Sequence, residues 1–155
     1  MKNDTGPILY ELDNALMLAT TAHAGQIDKN GVPFIWHPIR VALKLSGSDR
    51  VVALLHDAVE DSTMDFQDLL NLGISFEAVE VIKVLTHEDS VSYDDYIERV
   101  AKNPQAVRVK VADLLDNLSE SRRYKGDEPT REKHKKALLR LTGCTWEDYV
   151  AQGHR

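Results

Sequence analysis

Val51 to Thr63, VVALLHDAVEDST, is the stretch that decides how this 155-residue chain is read. Its first half is an apolar run suited to a buried helix, whereas His56 to Asp61 packs one histidine and three carboxylates into six residues. Wound as a helix at ~100° per residue, His56 stacks over Glu60 and Asp57 over Asp61, one turn on in each pair. Like charges at that spacing repel, and a carboxylate taken out of water without a partner is costly. A cation among them relieves both penalties. Imidazole nitrogen beside carboxylate oxygen is a donor set for a divalent first-row metal ion, but two ligands do not complete a shell.

Working outward, helical spacing dominates. Tyr10 to Ala24 places Leu12, Leu16, Ala19 and His23 three or four residues apart and stops at Gly25. QIDKNGVP, Gln26 to Pro33, is a polar loop with Asn30-Gly31 as its turn; His37-Pro38 then opens a second helix running to about Ser46. Ser48 is expected to cap the helix of the deciding stretch, and Ser62 or Thr63 a short one through Leu72. Further helices are expected over Phe76 to Leu85 and Tyr93 to Lys102, with Ser75 and Ser92 as caps, then over Gln105 to Glu120, Thr130 to Leu141 and Trp146 to Ala151. VRVKV, Val107 to Val111, alternates like a strand, but Val107, Val111, Leu114, Leu115 and Leu118 keep a helical period, so helix is expected there too. The expected class is all-α, a single domain over 1–155 with its motifs in 22–118 and C-terminal helices over 129–152.

The bounds agree. No apolar run approaches the ~18 residues of a membrane span, and MKNDTGPILYELD lacks the apolar core of a signal peptide, which predicts a cytoplasmic protein. Cys144 is the only cysteine, so neither an internal disulfide nor a thiolate metal site is expected. A net charge of -6 argues against broad contact with nucleic acid. Any anionic ligand is therefore held locally.

Two donors could complete the shell. His37 lies among apolar neighbours in PFIWHPIR, and Asp113 interrupts the apolar run VKVADLLDNL, with Asn117 one turn beyond it on the same face. Taken alone, a histidine at a helix start is a cap or a packing residue; the conjunction is what points to a metal. His23 reads as a residue that holds the helix end, His87, His134 and His154 as surface, and Trp36 as either a pocket wall or core.

That conjunction resembles a family. His37, the His56-Asp57 doublet and the distant Asp113 match the H…HD…D pattern of HD-domain metal-dependent phosphohydrolases, an all-helical fold. More narrowly, AHAGQIDKNGVPFIWHP (Ala22 to Pro38), LLHDAVEDS (Leu54 to Ser62), YDDYIERV (Tyr93 to Val100) and VKVADLLDNL resemble the hydrolase domain of RelA/SpoT-type proteins. In length the chain is similar to stand-alone small alarmone hydrolases, and no synthetase domain is expected. The resemblance implies a compact HD-domain helical bundle in which His37, His56, Asp57 and Asp113 bind a divalent cation, Mn²⁺ in the first place. Glu60 and Asp61 match a pair that works on the attacking water, Lys29 a loop lysine near the substrate, and Asn117 a nucleoside contact. The implied reaction removes the 3′-pyrophosphate of ppGpp or pppGpp; the alternatives are a phosphohydrolase on another nucleotide or cofactor such as NADPH, and a non-catalytic nucleotide-binding module.

One position departs from the pattern. Where alarmone hydrolases commonly carry an arginine before the loop lysine, this chain has Asp28. A carboxylate beside a polyanion is expected to weaken substrate binding unless it points away or meets a cation, and it can neither stack on a base nor pair with phosphate as arginine does. Arg122, Arg123, Lys125 and Arg131 are the other basic candidates.

Overall fold

Hydrophobic periodicity and capping chemistry play out as nine α-helices with no strand among the described residues, 7–155 of a computed structural model. They are α1 (Pro7–Ala22), α2 (Trp36–Leu43), α3 (Ser48–Leu55), α4 (Phe66–Asn71), α5 (Phe76–Leu85), α6 (Tyr93–Ala101), α7 (Pro104–Leu118), α8 (Glu128–Thr142) and α9 (Trp146–Ala151), with a 3₁₀ turn at Glu120–Arg122. The all-α bundle expected from the sequence is the fold observed. No described helix is long and apolar enough to cross a membrane. The N-terminal stretch read for targeting signals lies partly outside the described residues.

Side-chain caps start five of the described helices, but not α3, where Gly47 is the N-cap and Ser48, expected to cap, is the first helical residue. Ser75 and Ser92 accept hydrogen bonds from the backbone of the first turns of α5 and α6, as expected, and Thr145 does the same for α9. Asn103 caps α7 with Pro104 as its first residue, which fixes VRVKV as helix. The cap of α4 is a correction: neither Ser62 nor Thr63 serves, because the Ser62 hydroxyl donates to Ala58 O, and Asp65 forms a capping box with Asp68 instead.

Two helices form the centre. Val51 to Leu55 of α3 are all at most 4% exposed, and α3 packs against α1, α2, α5 and α7. Burying side chains of this size contributes roughly 1.5–3 kcal/mol each. The partner, α7, buries Val109, Ala112, Leu114 and Leu118. The polar ends of these helices are thus set on the most constrained elements of the fold, with α2 packed on both.

The deciding stretch corrects one detail. The regular helix stops at Leu55, and residues 56–60 form a turn rather than a further helical turn. The cause is local: the His56 ring Nδ1–H donates to Ala53 O at 2.6 Å, competing for backbone acceptors that a continued helix would use. Asp61 N still donates to Asp57 O at 2.9 Å, which preserves the one-turn stacking of the acidic side chains.

Candidate metal centre

α2, the end of α3 and the middle of α7 bring three donors to one point. His37, His56 and Asp113, separated by up to 76 positions in sequence, offer ligand atoms that all lie within 4.8 Å of one another, and all three are buried. His37 Nε2 is 3.0 Å from Asp113 Oδ1, and His56 Nε2 is 3.5 Å from it. Asp57 lies beside the two imidazoles, its Oδ2 3.5 Å from His37 Nε2 and 3.2 Å from His56 Nε2. Donors ~2.1 Å from a common ion in neighbouring positions stand ~3.0 Å apart, so these separations suit one divalent cation.

The histidine tautomers point the same way. His56 Nδ1 faces a carbonyl, which can only accept, so the proton sits on Nδ1 and the Nε2 lone pair is directed at the cluster. That Nε2 is buried with no hydrogen-bond partner, an orphaned donor atom that a cation would satisfy. His37 Nδ1–H donates to Asp116 Oδ2 at 2.7 Å, which frees its Nε2 in the same way. The residues present therefore fit a metal, with the ring orientation fixed from behind.

Electrostatics show how strongly the cluster wants positive charge. Burial opposes protonation of His37, but hydrogen bonds to Asp113, Asp116 and Asp57 outweigh it and raise the imidazole to about 9. His56 is likewise raised against burial, by Asp57 and Asp113. Against the same cost, Asp57 is lowered by His56 and His37, and Asp113 by Lys110 and both histidines.

Asp116 and Arg40 were given no role on sequence grounds, yet they form the support of the centre. Asp116 is 2% exposed and accepts from His37 Nδ1 and, at 2.7 and 3.0 Å, from Arg40 Nε and Nη2. Burial opposes ionisation, but His37 and Arg40 hold the Asp116 carboxyl at about 2. The legible signal was the i+3 spacing from Asp113, which puts both carboxylates near one face of α7. Asp116→Asn is expected to weaken metal affinity by roughly 10–100-fold with the fold intact, because the donor orientation of His37 is lost; titration of the metal into the stripped variant measures it.

Glu60 and Asp61 stand at the rim. Burial first, then the neighbouring Asp57 charge, raises both carboxyl groups above their ordinary range. Glu60 Oε2 accepts from His87 N at 3.1 Å, and the backbone carbonyl of Asp61 accepts from Gln26 Nε2 at 2.7 Å. His23 holds that Gln26 through Nδ1 at 2.9 Å, so it does fix the helix end and loop.

A cleft of about 230 Å³ opens onto the cluster, lined by His37, Asp57, Glu60 and Asp113 together with Lys110, Asn117, Arg122 and Lys133. A larger cleft of about 690 Å³ shares Glu60 with it but not the histidines, and Glu60, Asp61 and Asp68 face it, which suits a polyanion poorly. Lys110 Nζ donates to Asp113 Oδ2 at 2.8 Å, and Asn117 Nδ2 to Asp113 Oδ1 at 2.7 Å. Lys29 is exposed and lines no part of the smaller cleft. Trp36 is 53% exposed and does not line that cleft, whose aromatic wall is Phe34, Tyr93 and Tyr96.

Two histidines read as surface are not. His87 stacks on Tyr96 with ring centres 4.8 Å apart, and both His87 and His134 line the cleft, because α6 and α8 close against α7 there. Burial pushes His134 down to about 4. The unfolded imidazole near 6.5 takes up a proton first, so stability contributed by neutral His134 is present above about pH 6.5 and is lost as pH falls toward 4. Between pH 7 and about pH 5 this predicts a loss of about 2 kcal/mol, which His134→Gln should be spared in urea unfolding.

Asp28 meets a cation, the alternative left open by its sequence: Oδ2 accepts from Arg122 Nη1 at 2.9 Å, and Oδ1 accepts from Asn30 N and Val32 N. Burial opposes the ionised form, yet those two backbone bonds and Arg122 lower its pKa. Of the four basic candidates, Arg122 alone lines the cleft; Arg131 is buried, donating to Leu118 O at the end of α7.

Comparison with known proteins places this geometry. No protein-family model matches the sequence. A protein of Aquifex aeolicus named guanosine-3′,5′-bis(diphosphate) 3′-pyrophosphohydrolase is 30% identical over 94% of this chain. The bifunctional (p)ppGpp synthase/hydrolase SpoT of Escherichia coli is 29% identical over 95% of it. A GTP pyrophosphokinase of Streptomyces coelicolor is also 29% identical, over 95% of the chain. The chain is similar to one segment of RelA/SpoT-type proteins over most of its own length. It spans about a fifth of these relatives' own lengths, 21%, 22% and 18% in turn. The same fold is seen in a solved structure of a metazoan orthologue of SpoT described as hydrolysing ppGpp, with a TM-score of 0.71 at 24% identity, covering 94% of this chain and 97% of that one.

Proposed function

We propose that this chain is a metal-dependent (p)ppGpp 3′-pyrophosphohydrolase. The observation that carries the reading is the convergence of two oriented imidazoles and two carboxylates beside a raised Glu60, on a cleft walled by Lys110, Arg122 and Lys133. His37, His56, Asp57 and Asp113 would hold the cation, Mn²⁺ on the strength of the resemblance. When bound, a divalent cation supplies Lewis acidity toward a phosphoryl oxygen and makes water easier to deprotonate.

The chain's own groups do the rest. Glu60, with a pKa above that of an ordinary glutamate, is suited to take a proton from the attacking water, and Asp61 beside it to orient that water. Water oxygen bonds to the phosphorus attached at the ribose 3′-oxygen; that P–O bond breaks, the 3′-oxygen leaves and is protonated, and GDP or GTP and pyrophosphate result. The lysines that line the cleft, Lys110 and Lys133, meet the phosphate charge. The whole described chain works as one hydrolase unit in this reading, in a cytoplasmic setting.

A second reading, a phosphohydrolase acting on another nucleotide or on NADPH, is favoured by Asp28 in the place of the loop arginine. An assay of ppGpp, pppGpp, NADPH and simple nucleotides with Mn²⁺ separates them. The expected result is release of pyrophosphate from ppGpp and pppGpp, abolished by a chelator and restored by Mn²⁺; turnover of NADPH alone would replace the first reading with the second.

A further inference from the structure

Asp28, in the place of the loop arginine, is met by an arginine from elsewhere in the fold. Arg122 lies 94 positions after Asp28, in the 3₁₀ turn that follows α7, yet the two form an ion pair at 2.9 Å. Two independent contacts tie the same loop to the same turn: Asn30 Nδ2 donates to Ser121 O at 3.3 Å and to Arg123 O at 3.2 Å. Asp28 is itself immobilised by two loop amides, so the carboxylate is a fixed anchor for the guanidinium.

We propose that Arg122, positioned by Asp28, is the stacking face for the nucleobase, a guanidinium moved from the loop to the segment after α7. This rests on reading the cleft as a nucleotide site. The edge of the guanidinium is engaged, Nη1 by Asp28 and Nη2 by Asn117 Oδ1 at 3.3 Å, and one face lies against the Phe34 ring at 5.8 Å. Its charge is met as well, by Asp28 and by Asp116 4.0 Å from Nε, leaving little surplus to attract a phosphate. Elsewhere in the cleft lining, Lys133 lies 4.5 Å over Tyr93 with no carboxylate within ion-pair distance among the described residues, and Lys110 and His134 line the same cleft. Lys133 is therefore the cation left for the phosphates. Arg122 has its flat, weakly hydrated face to offer, and a base of any identity presents a π surface to it. The pair therefore supplies affinity for a nucleoside without choosing guanine.

Calorimetry of GDP and of pyrophosphate binding to the Mn²⁺-loaded full chain tests this. Arg122→Ala should weaken GDP roughly tenfold and leave pyrophosphate within about twofold, the range expected when a stacking partner is removed. Asp28→Asn keeps an acceptor for the loop amides but loses the charge, and should weaken GDP alone by about threefold. Exchanging the pair, Asp28→Arg with Arg122→Asp, returns the arginine to the loop and should restore GDP to within about threefold of the starting protein. Equal losses for both ligands, GDP affinity unmoved in Arg122→Ala, an exchanged protein no better than Arg122→Ala, or no measurable GDP binding at all would each overturn the proposal. Arg122-dependent GDP binding in a protein that does not hydrolyse ppGpp would instead discard the hydrolase reading and keep this one. Hydrolysis with KM unmoved in Arg122→Ala would do the reverse.

Discussion

Asp113→Asn is expected to leave the protein with less than about a tenth of a divalent ion per chain and to lower ppGpp turnover at least about a thousandfold, the scale of losing several kcal/mol of charge stabilisation. Asp113 is 3% exposed and lies within reach of both histidines of the cluster: Oδ1 faces both imidazoles and accepts from Asn117, and Oδ2 accepts from Lys110. Removing its charge also strands the Lys110 ammonium, whose side chain is only 12% exposed, and stability should fall by about 3 kcal/mol in the metal-free protein. Metal analysis after dialysis and urea unfolding measure the two effects separately. A variant that keeps a full equivalent of metal would remove Asp113 from the ligand set.

Glu60→Gln is expected to divide binding from chemistry. Glutamine still offers an oxygen to His87 N, so the rim keeps its shape, and the bound metal should remain near one per chain. Turnover should nonetheless fall by roughly two to four orders of magnitude, as for the loss of a general base. Metal lost together with turnover would put Glu60 among the ligands, and unchanged turnover would take it out of the mechanism.

Much of this was legible in the linear sequence, for definite physical reasons. Caps at Ser75, Ser92 and Thr145 act over three residues, and helical periodicity over a few turns, so the starts of α5, α6 and α9 could be read directly. His37, His56 and Asp113 stood out because a polar residue inside an apolar helical run needs a reason, and the structure gives them a common one. Where a side chain competes with the local backbone, the reading slipped: the His56 ring ended α3 early, and Ser62 spent its hydroxyl on Ala58 rather than on capping α4.

The sequence by itself determined the all-helical class and the residue types that gather at the metal centre, since both follow from local spacing and from the cost of burying unpaired charge. Only the tertiary structure decided what stands behind and around those residues. That His37 is oriented by Asp116 and Arg40 depends on α2 crossing α7, contacts made across 79 and 76 positions. That His87 and His134 line the cleft depends on α6 and α8 packing over α7. The sign of the charge that Asp28 presents to a ligand was likewise undecidable from its neighbours, because a carboxylate's field is set by the nearest cation in space, and that cation is Arg122, brought to it by the fold.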